Sequence, residues 1–198
     1  AGKCAAADTK GVQKHPGFGT TIKHYLANSQ EDNRMFTNSH ISERAIREIY
    51  SKNFRITVEE SQPMSLMTSY NLVNGTHAAN NTDSVTHLLR NEWGFKGMVM
   101  TDWLTTSDLS VMLSVGAEMK YGKSDAAVCV LAQNDLIEPG EMSDFTRIKE
   151  ALADGVITRA HLERNARNIL TLMLRTHLYC DRSYYESVEG KCITFTQE

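Results

Sequence analysis

The sequence predicts an α/β fold, specifically a partial (β/α)8 TIM-like barrel of about four βα units followed by a C-terminal tail. Four short apolar runs each end in polar residues, which is typical of strands buried on both faces of a parallel sheet. Segments with helical hydrophobic spacing lie between the runs, and this alternation indicates βαβ units. Because four units make only half of an eight-stranded barrel, we expect another segment, another chain or a second copy to complete it.

The predicted strands end in groups that can bind a ligand. The apolar runs cover residues 19–22, 64–67, 98–100 and 135–137. They end in the polar segments 23–24, 68–71, 101–103 and 138–140. The carboxyl ends of parallel strands form the ligand-binding face of barrels and open α/β sheets, so we expect these polar residues to meet there.

Capping residues and hydrophobic spacing predict the helices. The residues placed to cap or begin the four helices are Ser42, Asp83, Ser124 and Thr158. The first helix runs to about Glu60, the second ends at Gly94, and the third covers residues 125–132. The apolar residues near one face of the first helix are Ile46, Ile49, Tyr50 and Phe54.

One domain and a tail are predicted, and bulk properties exclude some partners. Residues 1–179 form the partial barrel domain, whereas residues 180–198 are polar without a clear period and form a linker or tail. The net charge of −3 and the lack of a basic run argue against nucleic acid as a partner. No apolar stretch is long enough to cross a membrane. Because the chain lacks an initiator Met and a signal peptide, we expect it to begin inside a longer protein.

The four cysteines form no C-x-x-C pair and no zinc-ligand spacing. This usage favours free thiols in a reducing, cytoplasmic compartment, with secretion as the alternative. Cys180 and Cys192 are close enough in sequence to pair across the tail, and the sequence alone leaves this open.

The polar residues at the strand ends form a set suited to sugars. They include a carboxylate at Asp102, the cationic and donor groups of Lys23 and His24, a phenol at Tyr70 and an indole at Trp103. Sugar hydroxyls bind carboxylates and cations, whereas the apolar faces of sugar rings pack on aromatic side chains. These residues therefore indicate a carbohydrate site, and they require no metal and no organic cofactor.

Five sequence blocks resemble glycoside hydrolase family 3, in its β-glucosidase branch. In chain order the blocks read TTIKHYLANSQEDNR, SHISERAIREIY, MTSYNLVNG, LLRNEWGFKGMVMTDW and AQNDLIEPG. They follow the order and approximate spacing of that family over about residues 10–175. The resemblance implies a retaining, exo-acting β-glycosidase with a (β/α)8-type N-terminal domain followed by an α/β sandwich domain.

The resemblance also implies residue roles. Asp102 takes the place of the catalytic nucleophile, which must be ionised to attack and which nearby cations would keep ionised. The residues implied to bind or line the sugar subsite are Lys23, His24, Arg34, Met67, Tyr70 and Trp103. The acid/base of this branch is a Glu of the sandwich domain, so we expect this chain alone to be inactive. Its implied partners are a β-glucoside or oligosaccharide substrate, the remaining barrel half and the sandwich domain.

Two residues depart from the family pattern. The family usually has Gly in the block that here reads Ala132-Gln133-Asn134-Asp135, and Glu138 stands where it usually has Met, just before Pro139 and Gly140. The second departure places an extra carboxylate near the expected barrel mouth and leaves its role open.

Structural alternatives exist for each candidate. Asp102 alone could cap the next helix, and Arg34 could pair with Glu31 or Asp32 instead of a sugar. Met67 and Trp103 could be plain core residues. We reject a metal site, because the nearest donors, His24, Glu31 and His40, have no ligand spacing.

Other activities remain as alternatives. A β-xylosidase or an N-acetylhexosaminidase of the same family is one. The latter is disfavoured because the nearest match to its Asp-Ser-His triplet is Asn38-Ser39-His40. A non-catalytic carbohydrate-binding remnant is the alternative from a different class.

Overall fold

The computed structural model describes residues 1–107 and 121–176 of the chain. A parallel sheet of three strands lies at its centre, in the order β1 (Thr21–Tyr25), β3 (Ser65–Thr68) and β6 (Met98–Met100). Leu66 pairs with Ile22 on one side and with Val99 on the other, and the register between β1 and β3 shifts between Ile22 and Tyr25. The predicted α/β class with a parallel sheet is therefore confirmed, and the described residues form an open sheet.

The chain also forms a second, smaller sheet. Its strands are β2 (Asn38–Ser39), β4 (Leu72–Val73) and β5 (Thr76–His77), with β4 and β5 antiparallel. Asn74 and Gly75 form the turn between β4 and β5, with φ angles of 50° and 88°. Asn-Gly is the pair that favours two-residue turns of this kind, although the sequence analysis did not predict this hairpin.

The described residues also form several helices. They are α1 (Gly2–Gln13), α2 (Glu43–Ala45), a π-helical segment (Ile46–Tyr50), α3 (Lys52–Ser61), α4 (Asp83–Glu92, also π-helical), α5 (Ala126–Leu131), α6 (Met142–Ala153) and α7 (Arg159–Arg175). The predicted starts at Ser42, Asp83 and Thr158 are confirmed. The Ser42 hydroxyl accepts a hydrogen bond from the Ala45 N–H.

One face of the sheet packs against the helices to form the main core. Leu66 and Val99 are fully buried there. The other buried members of this cluster are Tyr25, Leu26, Phe54, Val58, Val85, Leu88, Leu89, Trp93 and Phe95. Ile46 and Tyr50 pack against the cluster, whereas Ile49 is exposed, contrary to the predicted common face. The wider winding of the π-helical segment changes which residues share a face, so Ile49 turns to solvent.

Two sequence predictions need correction. The fourth apolar run does not form a strand; it makes a single parallel bridge, between Met100 and Leu136. Before the bridge, the Asp135 side chain accepts from the Val99 N–H in place of a backbone carbonyl. After it, Pro139 has no N–H with which to continue the pairing. The helix predicted to be capped by Ser124 is capped by Asp125, whose carboxylate accepts from two N–H groups of the first turn.

Several predictions concern residues outside the described ranges. The tail over residues 180–198, with Cys180 and Cys192, lies there. Cys4 is exposed and Cys129 is buried, and neither forms a disulfide with a described residue. Among the helices of residues 1–107 and 121–176, none is long and apolar enough to cross a membrane.

Candidate active site

Asp102 lies two residues after the end of β6, and backbone hydrogen bonds fix the turn that contains it. The Thr101 N–H donates to the Leu136 carbonyl at 3.0 Å, and the Leu104 N–H donates to the Glu138 carbonyl at 2.9 Å. Asp102 is only 8% exposed. The carboxylate is therefore held at the carboxyl end of a parallel strand, where α/β sheets place ligand-binding groups.

His24 is the first side chain that contacts this carboxylate. Nε2 of His24 lies 3.3 Å from Oδ2 of Asp102, and His24 comes from β1, where the pairing with β3 is irregular. Burial lowers the pKa of His24 below 6.5, although the Asp102 charge acts in the opposite direction. The imidazole is thus neutral at neutral pH, and its contact with the carboxylate is not a full ion pair.

Tyr70 is the second side chain on Asp102. Its hydroxyl is hydrogen-bonded to the Asp102 carboxylate, and the residue is buried. Burial raises the pKa of the phenol, and the neighbouring Asp102 charge raises it further. The phenol therefore keeps its proton at neutral pH and donates the hydrogen bond.

The residues on either side of Tyr70 hold it in place. The Ser69 hydroxyl and the Asn71 side-chain amide both donate to the Leu26 carbonyl, at 3.0 and 3.1 Å. The Ser69 N–H donates to the Tyr25 carbonyl at 2.7 Å. The sequence analysis gave Ser69 and Asn71 no role. Their position directly after an apolar run could have suggested one, because polar side chains that are buried need hydrogen-bond partners such as a backbone carbonyl.

Arg34 reaches the same group of side chains. Its guanidinium carbon lies 5.5 Å from the centre of the Tyr70 ring, in a cation–π arrangement. Nε of Arg34 also lies 3.5 Å from Oε2 of Glu31, whose side chain is largely exposed. The pairing with Glu31 foreseen as the structural alternative therefore exists together with the contact to Tyr70, and exposed pairs of this kind contribute little free energy.

The three remaining predicted residues differ in exposure. Met67 is buried at the end of β3, which fits a core residue as well as a subsite wall. Lys23 is exposed on β1 and forms no ion pair with another described residue. Trp103 is 53% exposed, so it is not a core residue within the described part of the chain. The structure thus brings His24, Arg34 and Tyr70 to Asp102, and leaves Lys23 and Trp103 facing solvent.

One cavity of the described part of the chain lies apart from the candidate site. This cavity, of about 660 Å³, lies between the π-helical segment and α4, and residues such as Arg47, Asn81 and His87 line it. None of the predicted site residues lines that cavity. Over residues 1–107 and 121–176, no group of three or more His, Cys, Asp or Glu side chains is placed to hold a metal ion.

Comparison with known proteins gives a consistent result. Residues 1–172 match the family model described as glycosyl hydrolase family 3 N terminal domain. A β-glucosidase of Ruminococcus albus is 44% identical over 179 residues, which are 89% of this chain and 18% of that protein. An exo-α-(1→6)-L-arabinopyranosidase of Bifidobacterium longum is 38% identical over 176 residues, which are 89% of this chain and 21% of that protein.

A solved structure with the same fold supports the sequence match. β-Glucosidase 3B from Thermotoga neapolitana, in complex with glucose, aligns with a TM-score of 0.79 and 35% identity. The alignment covers 95% of this chain and 25% of that one. The chain therefore spans about a fifth to a quarter of the length of the proteins to which it is similar.

Proposed function

The chain belongs to glycoside hydrolase family 3, and from this membership we propose that it is part of a retaining, exo-acting β-glycosidase that hydrolyses terminal β-glucosides. In this proposal its three-stranded sheet, with the bridge at Leu136, is part of a (β/α)8-type barrel. The observation that carries the proposal is the cluster at Asp102, a buried carboxylate that His24 and Tyr70 both contact at the carboxyl edge of a parallel sheet.

Asp102 is the nucleophile of the proposed reaction. One carboxylate oxygen attacks the anomeric carbon, the glycosidic bond breaks, and a carboxylic acid outside this chain gives its proton to the leaving oxygen. This step forms a covalent glycosyl ester on Asp102. Water, deprotonated by the same outside carboxylate, then attacks the anomeric carbon and releases the sugar with Asp102 as a free carboxylate.

The neighbours of Asp102 suit this role. The protonated phenol of Tyr70 donates to the carboxylate and so holds one oxygen in place. Neutral His24 and the cation of Arg34 supply hydrogen-bond donors for sugar hydroxyls, with Lys23 at the outer side. Met67 forms part of the subsite wall, and Trp103 offers an apolar surface to a sugar ring.

The proposed enzyme needs more than this chain. The chain spans only 18% of the Ruminococcus albus relative. None of the site residues proposed in this chain is the general acid of the reaction. We therefore infer that the remaining barrel strands and an α/β sandwich domain complete the active site, and that the chain alone does not turn over substrate. The relative named as an arabinopyranosidase shows that a pyranose other than glucose belongs in the test.

The deciding experiment traps the intermediate. The complete protein that contains this chain is incubated with 2-fluoro β-glucoside, β-xyloside and α-L-arabinopyranoside probes, which slow the second step, and is then digested for mass spectrometry. We expect one sugar adduct on the peptide that contains Asp102, and the probe that reacts identifies the sugar.

Two variants complete this test. Asp102→Asn should give no adduct and retain the thermal unfolding of the wild type. Asp154→Asn, an exposed residue after α6, makes the same chemical change away from the site and should label normally. An adduct on another residue, or turnover by Asp102→Asn, would show that Asp102 is not the nucleophile.

A further inference from the structure

A second cavity lies beside the loop that joins β1 to β2. Its volume is about 630 Å³, within the range of about 300–1,000 Å³ that small-molecule sites in proteins have. Residues of the loop 27–37, strand β2 and Tyr50 of the π-helical segment form most of its wall. None of the residues assigned to the candidate active site lines it. The cavity is therefore separate from the cluster at Asp102.

The wall of this cavity is polar but contains few groups that carry charge. The most frequent polar groups are side-chain amides, so we call it the amide cavity; the amides belong to Asn28, Gln30, Asn33 and Asn38. None of its lining residues is Asp, Glu, Lys or Arg, and His40 is the one with a basic side chain. The aromatic rings in the wall are those of Phe36, Tyr50 and Tyr121.

Two of the four amides hold the wall together, and two are available to a ligand. The Asn38 side-chain oxygen accepts from the Gly75 N–H, and the Gln30 amide donates to the Asp32 carbonyl, each at 2.9 Å. Within residues 1–107 and 121–176, the side chains of Asn28 and Asn33 form no hydrogen bond. Each carboxamide offers one acceptor and two donated hydrogens.

Backbone hydrogen bonds shape the loop before any ligand binds. The Arg34 N–H donates to the Glu31 carbonyl at 3.2 Å, and the Phe36 N–H donates to the Asn33 carbonyl at 2.7 Å. At the end of the loop, the Thr37 carbonyl accepts from the Leu72 N–H of β4 at 2.9 Å. A wall that is already ordered loses less conformational entropy on binding, which favours affinity.

The chemistry of the wall selects a neutral ligand with many hydroxyls. A phosphate or a carboxylate would meet no Lys or Arg in the amide cavity, and a metal ion would meet no carboxylate. An apolar ligand would displace water from the free amides and offer them no hydrogen bond. A sugar hydroxyl both donates and accepts, which matches a carboxamide, and the apolar face of a sugar ring packs on aromatic side chains.

We propose that the amide cavity is a second carbohydrate-binding site, which holds one neutral sugar ring of an oligosaccharide. The Asn28 and Asn33 amides bind its hydroxyls, and the rings of Phe36 and Tyr50 supply the apolar surface. This inference goes beyond the proposed function, because it concerns binding at a place where no bond is cleaved.

The test counts bound sugars in the complete protein. Equilibrium dialysis with a radiolabelled, sulfur-linked β-glucose disaccharide, which resists hydrolysis, gives the number of equivalents bound and their Kd values. We expect wild type to bind two equivalents. Asn28→Ala should weaken one of them about tenfold, on the scale of a lost hydrogen bond at a ligand that displaces water. Its kcat/KM for an aryl β-glucoside should stay as in wild type.

Two further variants make the result independent of Asn28. Phe36→Leu keeps an apolar side chain but removes the ring, and it should weaken the same equivalent. Asn91→Ala changes an exposed Asn of α4 away from the cavity and should bind two equivalents as in wild type. Thermal unfolding of each variant shows that the fold is kept, and Phe36→Leu provides the result if Asn28→Ala is unstable.

Three outcomes would overturn the second site. Wild type that binds a single equivalent would mean that the cavity holds no sugar, as when another part of the complete protein fills it. Two unchanged equivalents in both cavity variants would place the second sugar elsewhere, for example at the leaving-group side of Asp102. A kcat/KM that falls together with the lost equivalent would make the cavity part of the active site. A protein that binds two equivalents but cleaves no glycoside would contradict the proposed function alone.

Discussion

Nε2 of His24 lies 3.3 Å from Oδ2 of Asp102; His24 lies on the first strand of the central sheet, and Asp102 follows the third. Burial lowers the pKa of His24, whereas the negative charge of Asp102 raises it. Burial is the larger influence, so His24 stays neutral near pH 7. The site therefore holds one negative charge beside a neutral donor rather than a closed ion pair.

The charge of Asp102 should be measurable in the titration of His24. Because that charge raises the pKa of His24, Asp102→Asn should lower this pKa further below 6.5. NMR of the protein with 13C-labelled histidine follows the titration, and His24→Gln identifies the signal by its loss. Asp154→Asn should leave the signal unchanged. A His24 pKa that rises or stays constant in Asp102→Asn would mean that the two groups do not interact.

The hydroxyl of Tyr70 should contribute to kcat more than to stability. Tyr70→Phe keeps the ring that Arg34 contacts and removes the hydrogen bond to Asp102. We expect kcat in the complete protein to fall about tenfold or more, on the scale of lost charge-assisted hydrogen bonds. Steady-state kinetics and thermal unfolding measure the two effects, with Tyr50→Phe, from the π-helical segment, as the matched change away from the site. A kcat equal to wild type would remove Tyr70 from the mechanism.

The sequence predicted the central features of the fold and much of the site. The strands near residues 65 and 98 follow from apolar runs that end in polar groups, and the starts at Ser42, Asp83 and Thr158 follow from capping residues. The first strand lies two to three residues later than predicted, so Lys23 and His24 lie within β1 rather than after it. His24 still reaches Asp102, as does Tyr70. Strand ends meet at one edge of a parallel sheet, so spacing in the chain is enough to place these residues together.

Other elements left weaker signals in the sequence. Helix α1 contains Gly2 and Gly11 and has little amphipathic pattern, so it was not predicted. The Arg34–Tyr70 contact depends on how the loop after β1 folds, which no periodicity describes. The cap at Asp125 in place of Ser124 is a shift of one residue between two good capping types.

Gly97 should not accept a side chain, because it lies where two backbone carbonyls approach the start of β6. A Cβ at this position would lie 2.5 Å from the Met64 carbonyl oxygen and 2.7 Å from that of Pro63. Gly97→Ala should therefore destabilise the protein by about 1–3 kcal/mol. Gly11→Ala is the matched change, because a Cβ at Gly11 would meet no atom within 4 Å. It also replaces a residue that disfavours helices with one that favours them. Chemical denaturation measures both, and equal midpoints would show that the chain before β6 has room to move.

The last prediction concerns a buried ion pair that holds the chain just before Glu138. Nη2 of Arg90 lies 2.5 Å from Oδ2 of Asp135, and both side chains are almost completely buried. The same carboxylate accepts from the Val99 N–H and from the Asn168 side chain, each at 2.8 Å. Burial raises the pKa of Asp135, although Arg90 and these hydrogen bonds oppose the rise. Asp135 thus connects α4, β6 and α7 through one charged group.

Removal of that group should be costly because Arg90 would remain buried without a counter-charge. We expect Asp135→Asn to lower the free energy of unfolding by about 3–5 kcal/mol. The Arg159–Glu163 pair on α7 has a similar N–O distance of 2.6 Å but is exposed, so Glu163→Gln should cost less than about 1 kcal/mol. Urea denaturation of both variants makes the comparison, and equal losses would mean that burial does not set the strength of the Arg90–Asp135 pair. A large loss for Asp135→Asn alone would show that this pair anchors the segment that leads to Leu136 and Glu138, and through it the turn of Asp102.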